Sequence, residues 1–395
     1  MVIMPLQNRY LPPLMILLFI SWLNDIYSGT RDIFRGLSAG KILFLLFLSL
    51  FIWQLAGLLY SENNVMAWRN VSSRLAFVLF PLVLFNQGEK IRDNRKILFR
   101  LFAAATAVYL LSCYLVASYR SFSLSQGSLI FNPHPSGAEW ENYFFNDLFT
   151  YSIHPSYLSM YAIMAFLFAV EAARGAGRRA MIAWTSTALF IFVSLYFISS
   201  RAALLSMILI VPIWLINIMT GKRRPIFIVL ILVSAAMASI PFIMSNERYK
   251  SLIPLISERN ADENSVKDDR FIIWNSALRV LKNSPVIGVG LGDVRDELVK
   301  VYDSMGEERL SQNKTNAHNQ FLEICLESGI PGILLFLAIF VLMAFRAVKS
   351  KDLLYIMFIL MILTFFMFES VLYRFAGISF FSLFAFLLLP QPKKE

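Results

Sequence analysis

Three histidines occur in the 395 residues: His134, His154 and His318. His318 stands in Asn316–Gly332, read NAHNQFLEICLESGIPG. Asn319 follows it directly, and Gly329, Pro331 and Gly332 break the chain before a long apolar run. An imidazole titrates near neutrality and can take a proton from a hydroxyl. A lone histidine is equally at home as a structural side chain. Arg201, in Ser199–Ser200–Arg201, sits where two apolar stretches meet with almost no loop. Its plain reading is a snorkelling arginine that fixes the end of a span. Its chemical reading is an anion clamp, because a guanidinium presents a rigid donor fork suited to phosphate oxygens. Arg270, in Asp268–Asp269–Arg270–Phe271, is either a surface ion pair with its acidic neighbours or a second phosphate ligand.

The remaining motifs carry weaker chemistry. Gly288, Gly290 and Gly292 alternate in SPVIGVGLGD. No βαβ context surrounds them, so a dinucleotide loop is excluded. They permit close backbone approach, either for packing or to turn N–H groups toward a diphosphate. His154–Pro155–Ser156–Tyr157 reads as a helix start with proline in the first turn, and His134 lies in a polar, turn-rich loop. No His, Cys, Asp or Glu spacing suggests a metal, and the only DxD-like pair is Asp268–Asp269. Cys113 and Cys325 are isolated in apolar surroundings, which leaves a disulfide between them open but disfavoured.

These residues need a scaffold, and the composition says what kind. The chain is 57% hydrophobic and 15% aromatic with only 16% charged residues, and its mean hydropathy is +0.62. Soluble domains carry about 25% charged residues. The repeated long apolar runs mark an all-α polytopic membrane protein. Spans are expected at 11–28, 40–60, 72–86, 97–117, 155–172, 180–199, 201–219, 226–244, 333–348, 353–370 and 373–389. That makes eleven, or twelve with a different threading of the N-terminus. The first run contains Pro12 and Pro13 and no small-residue cleavage site, so it reads as a span and not a cleavable signal.

Net charge is +10, but the basic residues cluster between apolar runs. That is a topology signal and argues against nucleic acid as a partner. The clusters Lys90–Arg100, Arg174–Arg179, Lys222–Arg224, Arg346–Lys351 and Lys393–Lys394 fall on one side, which is therefore cytoplasmic. The other side receives 118–153, the Ser199–Arg201 corner, 245–332 and 369–374. All three histidines lie there. The 88-residue segment 245–332 holds 11 basic and 14 acidic residues and is the one soluble-looking piece. It divides the chain into 1–244, 245–332 and 333–395. An amphipathic helix is expected over 268–282, with Phe271, Trp274, Leu278 and Leu281 on its apolar stripe. No ionisable residue falls near the middle of a span and no inverted repeat is visible. Both observations argue against a lipid-linked oligosaccharide flippase.

The ordered set SSRAALL (199–205), RFIIWNSALRVLKNSPVIGVGLGD (270–293) and AHNQFLEICLESGIPG (317–332) resembles the O-antigen ligase and polymerase superfamily of bacterial membrane proteins. HPSYLSMY (154–161) and ESVLYRFAGISFFSLF (369–384) support it less strongly. The resemblance implies about twelve spans with a large, mainly helical periplasmic loop between late ones. It implies transfer of a polysaccharide from undecaprenyl diphosphate to the lipid A core (ligase), or extension of the glycan on the same carrier (polymerase). Arg201 and Arg270 would bind the donor diphosphate and His318 would activate the acceptor hydroxyl, with inversion, no metal and no cofactor. Arg69 and Arg74 could add positive potential, and His154 and Asn319 are auxiliary candidates. The expected location is the bacterial inner membrane, with the site facing the periplasm.

Overall fold

A computed structural model describes residues 1–6, 8–28, 38–85, 87–125, 128–135, 141–218 and 269–390. The expected span at 226–244, the cluster Lys222–Arg224, Asp268 and the tail lysines Lys393 and Lys394 lie outside them. The described chain is helical almost throughout, as its apolar periodicity requires. Its helices are α1 (Leu11–Tyr27), α2 (Ala39–Ala56), α3 (Asn64–Arg74), α4 (Ala76–Leu84), α5 (Gly88–Ser121), α6 (Asn146–Thr150), α7 (Pro155–Ala173), α8 (Arg178–Ile198), α9 (Arg201–Ile218), α10 (Asp269–Asn283), α11 (Val294–Ser304), α12 (Glu308–Gln312), α13 (Gln320–Ser350), α14 (Leu353–Phe368) and α15 (Phe375–Leu387). One hairpin, β1 (Phe122–Ser125) with β2 (Ser128–Phe131), was not anticipated. Its strands pair antiparallel with Phe122 opposite Phe131.

Among the described residues, five stretches are long and apolar enough to cross a membrane: 39–59, 93–121, 155–173, 178–198 and 320–350. Shorter apolar helices occupy 11–27, 201–214, 353–368 and 375–387. The span expected at 72–86 is divided at Leu75, leaving the nine-residue α4. At ~1.5 Å per residue α4 covers about 13 Å, well short of the ~30 Å hydrocarbon layer. The cluster Lys90–Arg100 is not a loop but the opening turns of the 34-residue α5. Lysine and arginine are good helix formers, and a helix of ~51 Å can carry them beyond the apolar layer.

The bundle is organised around α7, whose apolar window is 78% buried, against 22% for α8 on the periphery. Proline at its first position and His154 as its N-cap fix where α7 begins. In lipid, helices associate by packing and hydrogen bonds rather than by escape from water, and here phenylalanines do much of that packing. Phe381 stacks on Phe47 and Phe340 at centroid distances of 5.4 and 5.6 Å and meets Phe366 edge-on at 5.4 Å. Phe99 lies on Phe168 at 3.9 Å. Such pairs each add about 0.5–1.5 kcal/mol beyond simple burial. Cys113 and Cys325 are both free thiols.

A second, smaller core lies in 273–326, built from Ile273, Ala277, Val280, Leu298, Tyr302 and Leu326 with their neighbours. The expected helix forms as α10, and two of the four expected stripe residues, Trp274 and Leu281, pack against this core. Phe271 and Leu278 are 76% and 48% exposed, whereas Ile273, Ala277 and Val280 are buried. The packed face therefore runs through Ile273, Trp274, Ala277, Val280 and Leu281. The core is joined to the bundle at a break in α13, where Gly329 adopts φ 59° and ψ −154°. There the Ile330 N–H donates to the Val286 carbonyl at 3.0 Å and the Val289 N–H to the Leu326 carbonyl at 2.7 Å. Any side chain on Gly329 would run into that Val286 carbonyl.

Candidate active site

His318 immediately precedes α13's cap and has a left-handed backbone, φ 43°. Histidine, asparagine and aspartate enter this region more readily than other non-glycine residues. Asn316 Oδ1 accepts the His318 N–H at 3.2 Å. Asn319 Oδ1 accepts the N–H groups of Phe321 and Leu322 at 2.9 and 3.1 Å, capping α13. The imidazole is 39% exposed, and its Nδ1 lies 3.4 Å from Glu369 Oε2. The Ser156 hydroxyl donates to Glu369 Oε1 at 2.9 Å. Burial alone would raise the Glu369 carboxyl. The His318 hydrogen bond and charge, the Ser156 hydroxyl and the His154 charge outweigh it, so the group sits below the ordinary glutamate value. Glu369 is therefore held as a carboxylate facing His318.

The pair is braced from behind. Glu323 is 1% exposed, and its Oε2 accepts both the Ala317 N–H at 3.2 Å and the Ser370 hydroxyl at 3.0 Å. Ala317 precedes His318 and Ser370 follows Glu369, so one buried carboxylate ties down both sides of the pair. Gln320 Oε1 accepts the Leu372 N–H at 2.6 Å, and Asn319 Nδ2 donates to the Met367 carbonyl at 3.3 Å. These hydrogen bonds fasten the His318 loop to the turn after α14.

The pair opens into a cavity of about 390 Å³ whose walls also carry Arg201, Arg270, Arg309 and His154. Arg201 reaches it because the chain reverses in three residues. Ser199, at φ 55°, ends α8 with its N–H on the carbonyls of Leu195 and Tyr196, and α9 starts at once. Arg270 lies with its guanidinium 5.3 Å from the centre of the Phe368 ring and 3.5 Å from the Phe368 carbonyl. The N-termini of α7 and α9 both border the cavity, and helix N-termini add positive potential where anions bind. Against three guanidinium groups stand the carboxylates of Glu369 and Asp147. The four segments expected on one side of the membrane thus meet in one cationic space.

Not every sequence candidate is there. Arg69 is exposed and does not line the cavity. Arg74 is 2% exposed and pairs with the equally buried Glu327, which Gln54 Nε2 also approaches at 3.4 Å. Its charge is therefore directed at Glu327 and not at an open site. His134 turns Nδ1 to the Glu141 carbonyl at 2.8 Å. The glycine run packs instead of binding. A Cβ on Gly288 would lie 2.5 Å from the Leu326 carbonyl, the Ser61 hydroxyl accepts the Gly292 N–H at 3.0 Å, and Asp293 accepts the Glu62 and Asn63 N–H groups at 2.8 and 2.7 Å.

Two cavity residues, Arg309 and Glu369, carry no role in the sequence reading. Arg309 is one of eleven basic residues in 245–332, and nothing in its spacing singles it out. Glu369 had a usable signal, because it is the first charge after the uncharged run Leu353–Phe368. Among the described residues no cluster of three or more His, Cys, Asp or Glu side chains could hold a metal.

No curated protein matches the chain. Residues 186–337 match a family model described as O-Antigen ligase. That stretch contains Arg201, Arg270, Arg309, His318 and the Gly329 break, and it ends before Glu369. The family implies a membrane glycosyltransferase-like enzyme, of ligase or polymerase type, with lipid-linked glycans as substrates. The match, together with the membrane-length helices, supports the O-antigen ligase superfamily for this chain.

Proposed function

We propose that the protein is an O-antigen ligase, transferring a polysaccharide from undecaprenyl diphosphate to a sugar of the lipid A core. The observation that carries this reading is the convergence of Arg201, Arg270 and His318 on one cavity, although 117 residues separate the first from the last (318 − 201). Arg201, Arg270 and Arg309 take the donor diphosphate. A rigid fork that binds phosphate oxygens bidentately also stabilises charge as the diphosphate departs. Glu369 accepts from Nδ1 of His318 and leaves Nε2 as the proton acceptor. The acceptor hydroxyl then loses its proton to Nε2, and its oxygen attacks the anomeric carbon. The bond from that carbon to the diphosphate oxygen breaks on the opposite face, so the centre inverts and undecaprenyl diphosphate leaves. Charge neutralisation falls to arginine, and neither metal nor cofactor enters the scheme.

The cavity faces the periplasm in this reading, with 245–332 as the periplasmic unit between the membrane portions 1–244 and 333–395. Support comes from Arg95 and Lys96 on α5, Arg174 just after α7, and Arg346 and Lys349 on α13, which gather at the other end of α7. The description of the matching family as O-antigen ligase favours the ligase over a polymerase that extends the glycan on its carrier. The test is purified protein with a lipid-diphosphate-linked glycan, EDTA, and either lipid A core or a second carrier-linked glycan as acceptor. Product on lipid A core supports the ligase. A ladder of longer carrier-linked glycans without core product contradicts it and assigns the polymerase.

A further inference from the structure

A larger cavity than the candidate site lies at the other end of the same helices. α7 begins at the candidate active site with His154 and ends at this second space with Glu171 and Arg174; α14 begins here at Leu353 and ends at Glu369. The 19 residues of α7 span about 28 Å, close to the thickness of a bilayer's hydrocarbon core. The two cavities therefore lie at opposite ends of a helix of membrane-spanning length.

This second cavity measures about 1060 Å³, and six cations line it: Arg95, Lys96, Arg174, Arg346, Lys349 and Lys351. Two carboxylates answer them. Asp352 pairs with Arg95 at 3.3 Å and Glu171 with Arg174 at 3.2 Å. Among the described residues no ion pair is made by Lys96, Lys349 or Lys351, and the Lys349 ammonium instead stands 5.7 Å from the Phe345 ring centre. Arg346 gives one Nη2 hydrogen bond, to the Pro390 carbonyl at 3.1 Å. Its Nε is buried and meets no hydrogen-bond partner among the described residues. The rest of the wall is apolar, from Phe99, Leu353 and the run Phe386–Leu389. An ordinary solvated basic rim has neither an apolar wall nor an arginine with a buried donor that is unsatisfied among the described residues.

We propose that this cavity binds the headgroup of an anionic glycerophospholipid. The phosphate would sit among Arg346, Lys96 and Lys349, and the glycerol and upper acyl carbons would lie along Phe99 and Phe386–Leu389. Basic pockets between membrane helices suit such headgroups, and each lysine or arginine near an anionic surface contributes enough to change binding about fivefold. A zwitterionic phosphatidylethanolamine would leave the excess positive charge unanswered, and a soluble phosphate would leave the apolar wall empty.

The experiment is native mass spectrometry of the full-length protein from detergent, titrated with phosphatidylglycerol, phosphatidylethanolamine or sodium phosphate. Phosphatidylglycerol is expected to bind with at least tenfold preference. Lys96→Gln/Lys349→Gln should weaken it by about fivefold for each cation removed. That variant alters two exposed side chains, so its lipid-free melting temperature should match wild type; Arg346→Gln is the companion that removes the buried donor. Equal retention of the two lipids, undiminished phosphatidylglycerol binding in the double variant, or full displacement of lipid by sodium phosphate would each overturn the proposal. Transfer activity is not the readout, so failure here leaves the ligase reading untouched.

Discussion

Replacing Glu369 by glutamine separates orientation of His318 from simple charge. A hydrogen bond to a charged group contributes about 1.5–3 kcal/mol, and each ~1.4 kcal/mol is a factor of ten in rate. The Nδ1 to Oε2 distance is 3.4 Å and the imidazole is 39% exposed, so the lower end of that range applies. Glu369→Ala should then cost about tenfold in kcat through lost orientation. Glutamine should do worse while preserving shape. Its amide can donate to Nδ1, which places the imidazole proton on Nε2 and removes the acceptor that the hydroxyl needs. Restoring the tautomer costs roughly another hydrogen bond, for a total near 10²-fold. The assay is single-turnover transfer from a lipid-diphosphate glycan, with donor affinity measured separately. The reasoning is refuted if glutamine is the milder substitution, or if either variant loses donor binding but keeps its rate.

Three further outcomes follow from the same geometry. Arg74→Met should lower stability by about 3–5 kcal/mol, because it strands a buried carboxylate. Arg74→Met/Glu327→Met should recover much of that in a detergent melt, and a double variant no more stable than the single would contradict it. Arg309→Gln should raise the donor KM about tenfold with little change in the proton-transfer step, consistent with the ~1.5–3 kcal/mol of a charge-assisted bond; an unchanged KM removes it from the diphosphate site. The Glu369 carboxyl is held below its ordinary value, so the folded state favours the anion. The stability this provides is complete above the unfolded value of about 4.3 and is lost as pH falls through the lower folded one. The melting difference between wild type and Glu369→Gln should therefore shrink below about pH 4, and a difference that widens there would reverse the sign of the argument.

The helical membrane class was readable because apolar runs report burial in lipid directly, and Arg201, Arg270 and His318 stood out because charge is rare beside such runs. What local sequence does not encode is which side chains share a space after packing. Arg74 and Arg201 both look like cations at the edge of a span. One is enclosed with Glu327, and the other lines the cavity because Ser199 reverses the chain beside it. Glu369 was passed over because its partners, His318 and Ser156, are 51 and 213 positions away. The glycine run read ambiguously for the same reason: its partners are the Gly57–Asn63 turn and the α13 break. On α10 hydrophobicity marked the helix and half of the expected stripe, because Trp274 and Leu281 pack against the core while Phe271 and Leu278 stay exposed.

The central claim is that His318 takes a proton at a site where arginines hold the donor, and donor binding measured beside transfer tests it most directly. With EDTA present, His318→Ala should bind the lipid-diphosphate glycan as wild type does and form product at least ~10²-fold more slowly, the range of general-base catalysis. Arg201→Lys should lose donor affinity, since a point charge cannot reproduce a bidentate fork. A folded His318→Ala that transfers glycan at near-normal rate would contradict the account.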